Sequence, residues 1–519
     1  MHIETHFSDL QLYGFVTGGI AGLASIILFL KGKMRWSVFF LFLAALVMRL
    51  DMADIDPFLH LWDEQYHALV AKNMMNHMFI PTLIENPVLP YDNTSWVEGH
   101  IWLHKQPLSL WQIALSYKLF GVNEFALRLP LAIMSSLLVL MIFRIGNLWA
   151  NERIAWCAAF LFTFSNFQME MVTGILRTDH NDVAFMFYVT ASIWSWSEYM
   201  TSKNKIWMIL IGVFSGMAVM VKWLTGLLVF LGWVLSILFE KQQRINWRSY
   251  RDIILSFLVS VVVFLPWQIY KSIRFPVESA SEYKEYLLHF TEPQGGHDGD
   301  MWYHIDQIGL LYGKIALLLI IPAFYLLFKV MRQNSWKIGL LGNIIAIYLF
   351  FSLAVTKMPL FCMMISPIFF LALGELLEKG ITLLKIPNTK FSAITTFIIL
   401  FVVGIFYLDI HRIEEVHTDL DPGNWARNTR LHNTSVAKEV GKLIPSKDYV
   451  LFNCKSTNNN LVMYYSGNTA YDTFPDENTY KDLKKRGIKM AVLTMYENLP
   501  EFLANDKEVF KINMYMVPD

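Results

Sequence analysis

Two acidic residues stand side by side at Asp63 and Glu64, directly after Trp62 and before an amphipathic stretch. A carboxylate in this position can act as a general base that takes the proton of an acceptor hydroxyl or amine. It can equally cap the helix that follows, because the unpaired N–H groups at a helix start favour negative charge. An acidic pair alone leaves both interpretations open.

A basic residue of interest is Lys105, in the run His104-Lys105-Gln106-Pro107-Leu108. An ammonium group binds a phosphate as a point charge. It also reaches lipid headgroups when its helix lies along a membrane surface. The neighbouring His104 is a candidate ligand for a divalent metal ion, although a single histidine is more often structural.

A second pair of opposite charges occurs in the short run Arg177-Thr178-Asp179-His180. Arg177 and Asp179 can form a simple ion pair. Alternatively, Asp179 joins Asp63 at an acceptor site while Arg177 binds a phosphate. The spacing leaves both arrangements open.

The segment 289–304 combines three glycines with several polar side chains. Its composition fits a lid, a cation site or an ordinary solvated loop. The candidate residues are His297 as a metal ligand and, as lid residues, Asp298, Asp300, Tyr303 and His304. Lys357, before Met358 and Pro359, adds a further cation.

These charges belong to an apolar chain. Of 519 residues, 55% are hydrophobic and 17% are charged, against roughly 25% charged in average soluble domains. This composition excludes a disordered, fibrous or ordinary soluble protein. The 43 basic and 43 acidic residues balance, so no overall basic field favours nucleic acid as a partner.

The apolar residues are gathered into runs long enough to cross a membrane, which takes roughly 20 residues per helix. We predict about twelve spans: 10–30, 36–53, 126–148, 153–172, 181–200, 206–221, 224–239, 252–270, 306–329, 338–356, 359–378 and 391–410. Lysine and arginine collect in alternate loops, near residues 31–35, 153, 203–205, 241–251, 329–337 and 379–390. Because positive charge marks cytoplasmic loops, these loops are predicted to lie inside the cell.

The opposite side then carries the longer segments, including the loops 54–125 and 271–305. Apolar residues recur at helical spacing in 63–78 and 107–120, which predicts two helices lying along the membrane surface or packed on the bundle. We therefore expect a transmembrane domain over 1–410. A small α/β domain outside the cytoplasm is expected over 411–519, with strands near 448–453 and 489–494 and helices near 435–443 and 480–486.

Taken in order, the motifs resemble those of the GT-C glycosyltransferases, in the branch of the bacterial aminoarabinose transferases and the dolichyl-phosphate-mannose–protein mannosyltransferases. The resemblance covers about 60–410. It rests on Trp62-x-x-x-Tyr66 with Asp63-Glu64, Lys105-Gln106-Pro107-Leu108, Phe120-Gly121, Ala126-x-Arg128-Leu129-Pro130, Arg177-Thr178-Asp179, Lys222 within MVKWLTG, Pro266-Trp267 and Lys357-Met358-Pro359. Gln106 stands where the family has its first proline.

The resemblance implies a GT-C fold and an inverting glycosyltransferase whose donor is a polyprenyl-phosphate sugar. It implies that Asp63 is the catalytic base and Asp179 a second acid near the acceptor, while Glu64 orients the loop. Lys105, with Arg177 and Lys357, would bind the donor phosphate. Some relatives have an acid before the lysine that can bind a divalent cation, so His104 keeps a metal role open.

The implied acceptor is a lipid, a glycan or a protein, as in lipid A or protein modification. The implied location is the outer face of a bacterial inner membrane. Two other classes remain as alternatives. One is a twelve-span transporter or lipid-linked glycan flippase, although the sequence has no repeat of its two halves. The other is a ligase that attaches a whole glycan.

Overall fold

The computed structural model describes residues 6–176, 181–384, 389–496 and 498–518. The α-helices of these residues, numbered along the chain, are α1 (Asp9–Leu30), α2 (Met34–Asp54), α3 (Asp63–Met74), α4 (Pro107–Phe120), α5 (Glu124–Trp149), α6 (Glu152–Phe164), α7 (Asn166–Glu170), α8 (Asp182–Ser202), α9 (Lys205–Lys222), α10 (Leu228–Leu238), α11 (Trp247–Arg274), α12 (Pro276–Thr291), α13 (Tyr303–Asp306), α14 (Ile308–Tyr312), α15 (Ala316–Val330), α16 (Asn334–Leu353), α17 (Ser366–Leu383), α18 (Thr389–Leu408), α19 (Ile410–His417), α20 (Trp425–Leu443), α21 (Asn458–Ser466), α22 (Glu477–Lys485) and α23 (Glu501–Ala504). The strands are β1 (Tyr449–Phe452), β2 (Lys489–Leu493) and β3 (Phe510–Ile512).

The chain forms two compact units. The first, here called the bundle unit, comprises residues 1–55, 128–274 and 283–418. Within the described ranges, eight helices are long and apolar enough to cross a membrane, or nine if a pair bent by 89° between Tyr312 and Ala316 counts as one span. The predicted membrane-spanning helical architecture is confirmed, whereas the count of about twelve spans stays a prediction.

A break in the bundle unit falls within the predicted run 153–172. Helix α6 ends at Phe164, and Ser165 has extended backbone angles before α7 begins. The break exposes carbonyl groups that no longer have a partner within the helix. The fully buried Arg49 donates hydrogen bonds to the carbonyl oxygens of Phe162, at 3.1 Å, and Thr163, at 3.3 Å. A charged side chain from another helix therefore satisfies the interrupted backbone.

The second unit, here called the mixed unit, comprises residues 56–127, 275–282 and 419–519. Its three strands form a parallel sheet in the order β1-β2-β3. One apolar core joins side chains of α3 and α4 with side chains of α20, α21 and the sheet. The prediction of a small C-terminal α/β region is confirmed, and the two predicted strands and both helices are present. The domain boundary at residue 410 stays a prediction.

Two sequence signals fix the helices of the first long loop. Helix α4 begins with Pro107, whose missing N–H costs nothing at a helix start, and is followed by Gly121 with φ of 82°. Helix α3 begins with Asp63 and Glu64, whose negative charges favour a helix start. These helices correspond to the two amphipathic stretches predicted at 63–78 and 107–120.

Candidate active site

The mixed unit brings Asp63 and Lys105 together. Asp63 is the first residue of α3, and Lys105 lies two residues before α4 begins. The Lys105 Nζ atom is 3.3 Å from Asp63 Oδ1, and the two side chains remain 16% and 23% exposed. A carboxylate and an ammonium, separated by 42 positions in the sequence, therefore form one accessible ion pair.

Glu64 is held differently from its neighbour. Its side chain is buried, with 1% exposure, and its Oε2 accepts a hydrogen bond of 2.6 Å from the backbone N–H of His60. This bond closes the loop that leads into α3. The geometry suits an orienting role for Glu64 better than a catalytic one.

A buried polar network that the sequence did not indicate supports this loop. Arg427 donates to Asp56 Oδ1 at 2.7 Å, and His60 Nε2 lies 2.9 Å from Asp56 Oδ2. Arg430 donates to His60 Nδ1 at 3.0 Å. Because arginine has only donors, Nδ1 must accept and Nε2 must carry the hydrogen that bonds Asp56. In the sequence, only the spacing of Asp56 and His60, four residues apart, could have indicated part of this network.

An aromatic cluster adjoins the same pair of charges. The Trp96 ring lies 6.4 Å from Trp62, 5.2 Å from Tyr66 and 4.5 Å from His104, on which it stacks at 14°. Tyr66 stacks in turn on Trp102, at 6.1 Å. Trp62 and His104 are the sequence neighbours of Asp63 and Lys105, so the cluster holds both flanks of the ion pair.

His104 has a carboxylate partner within the mixed unit. Its Nδ1 atom is 3.6 Å from Oε1 of Glu282, on α12. Glu285 follows three residues later on the same helix, so its carboxylate starts from the same helix face as that of Glu282. Imidazole nitrogen and carboxylate oxygen suit a zinc or manganese ion. Among the described residues, His297 belongs to no group of three ligand-type side chains close enough to share an ion.

Lys357 belongs to the bundle unit, where it closes the end of α16. Its Nζ atom donates to the carbonyl oxygens of Phe351, Ser352 and Ala354 at 2.9, 2.7 and 2.6 Å. These bonds use all three donors of the ammonium. Burial lowers the pKa of Lys357 below its usual value, while Asp300 opposes that shift.

The segment predicted as a lid, 289–304, is hydrogen-bonded to Thr356 and Lys357. The backbone N–H of Lys357 donates to the carbonyl of His297 at 3.0 Å, and Gln294 N donates to Thr356 Oγ1 at 3.1 Å. His304 is fully buried. Asp298 and Asp300 are exposed, and Asp300 accepts a bond from Trp302 N. The segment is therefore anchored at Thr356 and Lys357 and presents its acidic residues outward.

Arg177 and Asp179 lie outside the described residues. The next described residue is Asn181, and Asp182 begins α8. The carboxylate of Asp182 forms an ion pair with Lys222, the lysine of the MVKWLTG motif. Lys222 also lies 5.5 Å from the centre of the Phe361 ring.

The sequence matches one family model and several curated relatives. Residues 104–270 match the family model described as dolichyl-phosphate-mannose-protein mannosyltransferase. An undecaprenyl phosphate-α-4-amino-4-deoxy-L-arabinose arabinosyl transferase of Pseudomonas fluorescens is 25% identical over 283 residues, which are 51% of this chain and 48% of the relative. The chain thus spans about half the length of the curated relatives it matches.

Solved structures agree with the fold over most of the chain. ArnT from Cupriavidus metallidurans in the apo state superposes with a TM-score of 0.63 at 15% identity, covering 86% of this chain and 90% of that one. The same protein bound to undecaprenyl phosphate gives a TM-score of 0.60. The oligosaccharyltransferase AglB from Archaeoglobus fulgidus gives 0.52 at 12% identity, covering 84% and 64%. The chain is a multi-pass membrane protein that shares their fold.

Proposed function

We propose that this chain transfers a sugar from a polyprenyl-phosphate donor. The chain belongs to the GT-C superfamily of glycosyltransferases, in the branch of ArnT and the protein mannosyltransferases. The acceptor is a lipid, a glycan or a protein. The reaction takes place at the outer face of a bacterial inner membrane. The observation that carries this proposal is the accessible pair of Asp63 and Lys105, 3.3 Å apart.

The chemistry divides between the two side chains. The Asp63 carboxylate takes the proton of the acceptor hydroxyl as its oxygen attacks the anomeric carbon. The bond from that carbon to the phosphate oxygen breaks, and polyprenyl phosphate leaves with the bonding electrons. The Lys105 ammonium stabilises the negative charge on the leaving phosphate. Attack from the face opposite the phosphate inverts the anomeric centre.

The ion pair also defines a resting state. While Lys105 contacts Asp63, the carboxylate is held by a cation instead of by the acceptor hydroxyl. A donor phosphate competes for the same ammonium and so releases the base. The donor therefore binds first, and the base becomes available once a polyprenyl phosphate occupies Lys105.

Support for the donor class comes from the relatives. The arabinosyl transferase of Pseudomonas fluorescens carries undecaprenyl phosphate in its name, and ArnT was solved with undecaprenyl phosphate bound. Arg177 is proposed as a second phosphate ligand and Asp179 as a second acid near the acceptor. For Lys357 to join them, its ammonium has to leave at least one of its three carbonyl partners.

A divalent metal ion is proposed only at His104 with Glu282. One imidazole and one carboxylate 3.6 Å apart fit part of a zinc or manganese ligand set. Such an ion next to Lys105 would supply added positive charge for a phosphate. Asp63, Lys105 and the lipid donor account for the transfer steps described above.

The test is sugar transfer by the full-length protein in liposomes. Radiolabelled undecaprenyl-phosphate sugars of several kinds are supplied with lipid, glycan and peptide acceptors of the cell envelope. We expect the wild type to convert one donor and Asp63→Asn to lose turnover while keeping its melting temperature. A wild-type protein that turns over no donor of the panel, or an Asp63→Asn variant with full activity, would overturn the proposal.

A further inference from the structure

Trp62 is the exposed member of the aromatic cluster. Its side chain is 52% exposed, whereas Tyr66 and Trp102 are buried to 1% and 0% exposure. Burying a large aromatic ring against a ligand removes much apolar surface from water, so an exposed tryptophan next to reactive groups is suited to bind an apolar ligand face.

The backbone of Trp62 is unusual. Its φ is 62° and its ψ is −115°, a conformation that favours glycine and that side chains with a Cβ atom rarely adopt. Such conformations persist where surrounding contacts enforce them, and they gather at binding sites. Here the Glu64 bond to His60 N closes the loop around Trp62.

The cluster connects this ring to both reactive side chains. Trp62 immediately precedes Asp63, and its ring lies 6.4 Å from Trp96. Trp96 stacks on His104, which immediately precedes Lys105. The exposed Trp62 ring and the Asp63–Lys105 pair therefore adjoin the same aromatic cluster.

The donor sugar is the ligand that has to reach that place. Its anomeric carbon lies between the acceptor held at Asp63 and the phosphate held at Lys105, so the rest of its ring extends only a few ångströms from the pair. One face of a sugar ring carries C–H groups with a partial positive charge, and the face of an indole ring is negative. A cleft lined in part by Trp96 and Glu282 has a volume of about 10 Å³, room for about one water molecule and too small for a sugar ring.

We propose that Trp62 is the stacking surface for the sugar ring of the lipid-linked donor and so a residue that determines donor specificity. This inference rests on the proposed function. It assigns Trp62 to the sugar alone, whereas Lys105 binds the phosphate that every polyprenyl donor shares.

A tryptophan at the membrane–water interface can instead anchor a protein among lipid headgroups. The two roles differ in what they recognise. A stacking residue distinguishes undecaprenyl phosphate with a sugar from undecaprenyl phosphate without one. An interfacial anchor does not.

The experiment measures binding of two probes to the full-length protein in nanodiscs. One probe is undecaprenyl phosphate, and the other is the undecaprenyl-phosphate sugar that the wild type turns over. The variants are Trp62→Ala, Trp62→Phe and Trp62→Gly, since glycine accepts the φ of 62° without strain. Trp425→Ala is the matched control, because Trp425 is 64% exposed in the same unit.

We expect Trp62→Ala and Trp62→Gly to weaken binding of the sugar-bearing lipid about tenfold and leave binding of undecaprenyl phosphate unchanged. Trp62→Phe should weaken binding of the sugar-bearing lipid about twofold. Trp425→Ala should leave the affinity for both probes unchanged. Equal losses for both probes would identify a lipid anchor and overturn the inference, as would unchanged binding of both. A wild type without turnover on any donor would overturn the proposed function, whereas turnover combined with equal losses for both probes would overturn only the stacking role of Trp62, so the two failures are distinguishable.

Discussion

Removing the Asp63 carboxylate should have opposite effects on turnover and on donor binding. Asp63→Asn keeps the size of the side chain and abolishes its charge and its basicity. Loss of a general base typically slows the chemical step by roughly 10²- to 10⁴-fold. The same change removes the competitor that holds Lys105 in the resting state.

The size of the binding effect follows from the geometry. Two unit charges 3.3 Å apart attract each other by about 5 kcal/mol at an effective dielectric constant of 20, before the cost of desolvation. Accessible pairs of this kind contribute a net of only about 1 kcal/mol. Removing this one contact of Lys105 should therefore tighten binding of undecaprenyl phosphate about fivefold.

The assay is a titration of undecaprenyl phosphate into the protein in nanodiscs, followed by the liposome transfer assay on the same preparations. Lys105→Gln should weaken binding, while Lys118→Gln should change nothing, because Lys118 is exposed at the far end of α4. Weaker donor binding by Asp63→Asn would refute the reasoning, since Asp63 would then be a ligand of the donor and not a competitor for Lys105.

Three further predictions concern stability. Arg427→Ala should lower the free energy of unfolding by about 3 kcal/mol, because Asp56 is left buried without that charge partner. Thermal unfolding checks this prediction. The control is Arg486→Ala, an exposed position where the loss should be under about 1 kcal/mol. Burial lowers the pKa of Lys72 from 10.5 to about 8. Between pH 8 and pH 10.5 the unfolded chain therefore carries a proton on Lys72 that the folded chain lacks, so stability should rise with pH across that window. Lys72→Met should abolish this rise, and an unchanged pH profile would contradict the prediction. Lys357→Met should lower the melting temperature by a few degrees, since three carbonyl groups lose a donor; an unchanged melting temperature would show that these bonds contribute little.

The sequence predicts best what depends on local pattern. Apolar runs of about 20 residues identify the membrane helices, and Pro107 and Gly121 delimit α4 within a residue. Asp63 and Lys105 could be paired before the structure only through the family resemblance, because they are 42 positions apart and an irregular loop lies between them. No periodicity in that loop indicates where Lys105 comes to lie.

The parts that were missed depend on distant partners. Asp56 binds Arg427 across 371 positions, and His104 approaches Glu282 across 178. Trp96 lies in an irregular stretch without helical or strand spacing, so nothing local marks it as the centre of an aromatic cluster. Contacts of this kind are decided by the packing of whole elements, which a single sequence does not show.

The pairing of Asp56 with Arg427 has a consequence for how the protein is made. A ribosome adds about 5 to 20 residues each second, so roughly 20 to 75 s pass between the synthesis of Asp56 and that of Arg427. During that time the apolar side chains of α3 and α4 lack the core that α20 and α21 complete. The segment with the candidate base is thus among the first parts to be translated and among the last to be finished. A nascent chain halted before residue 427 would carry an incomplete site and an exposed apolar surface for chaperones and proteases to recognise.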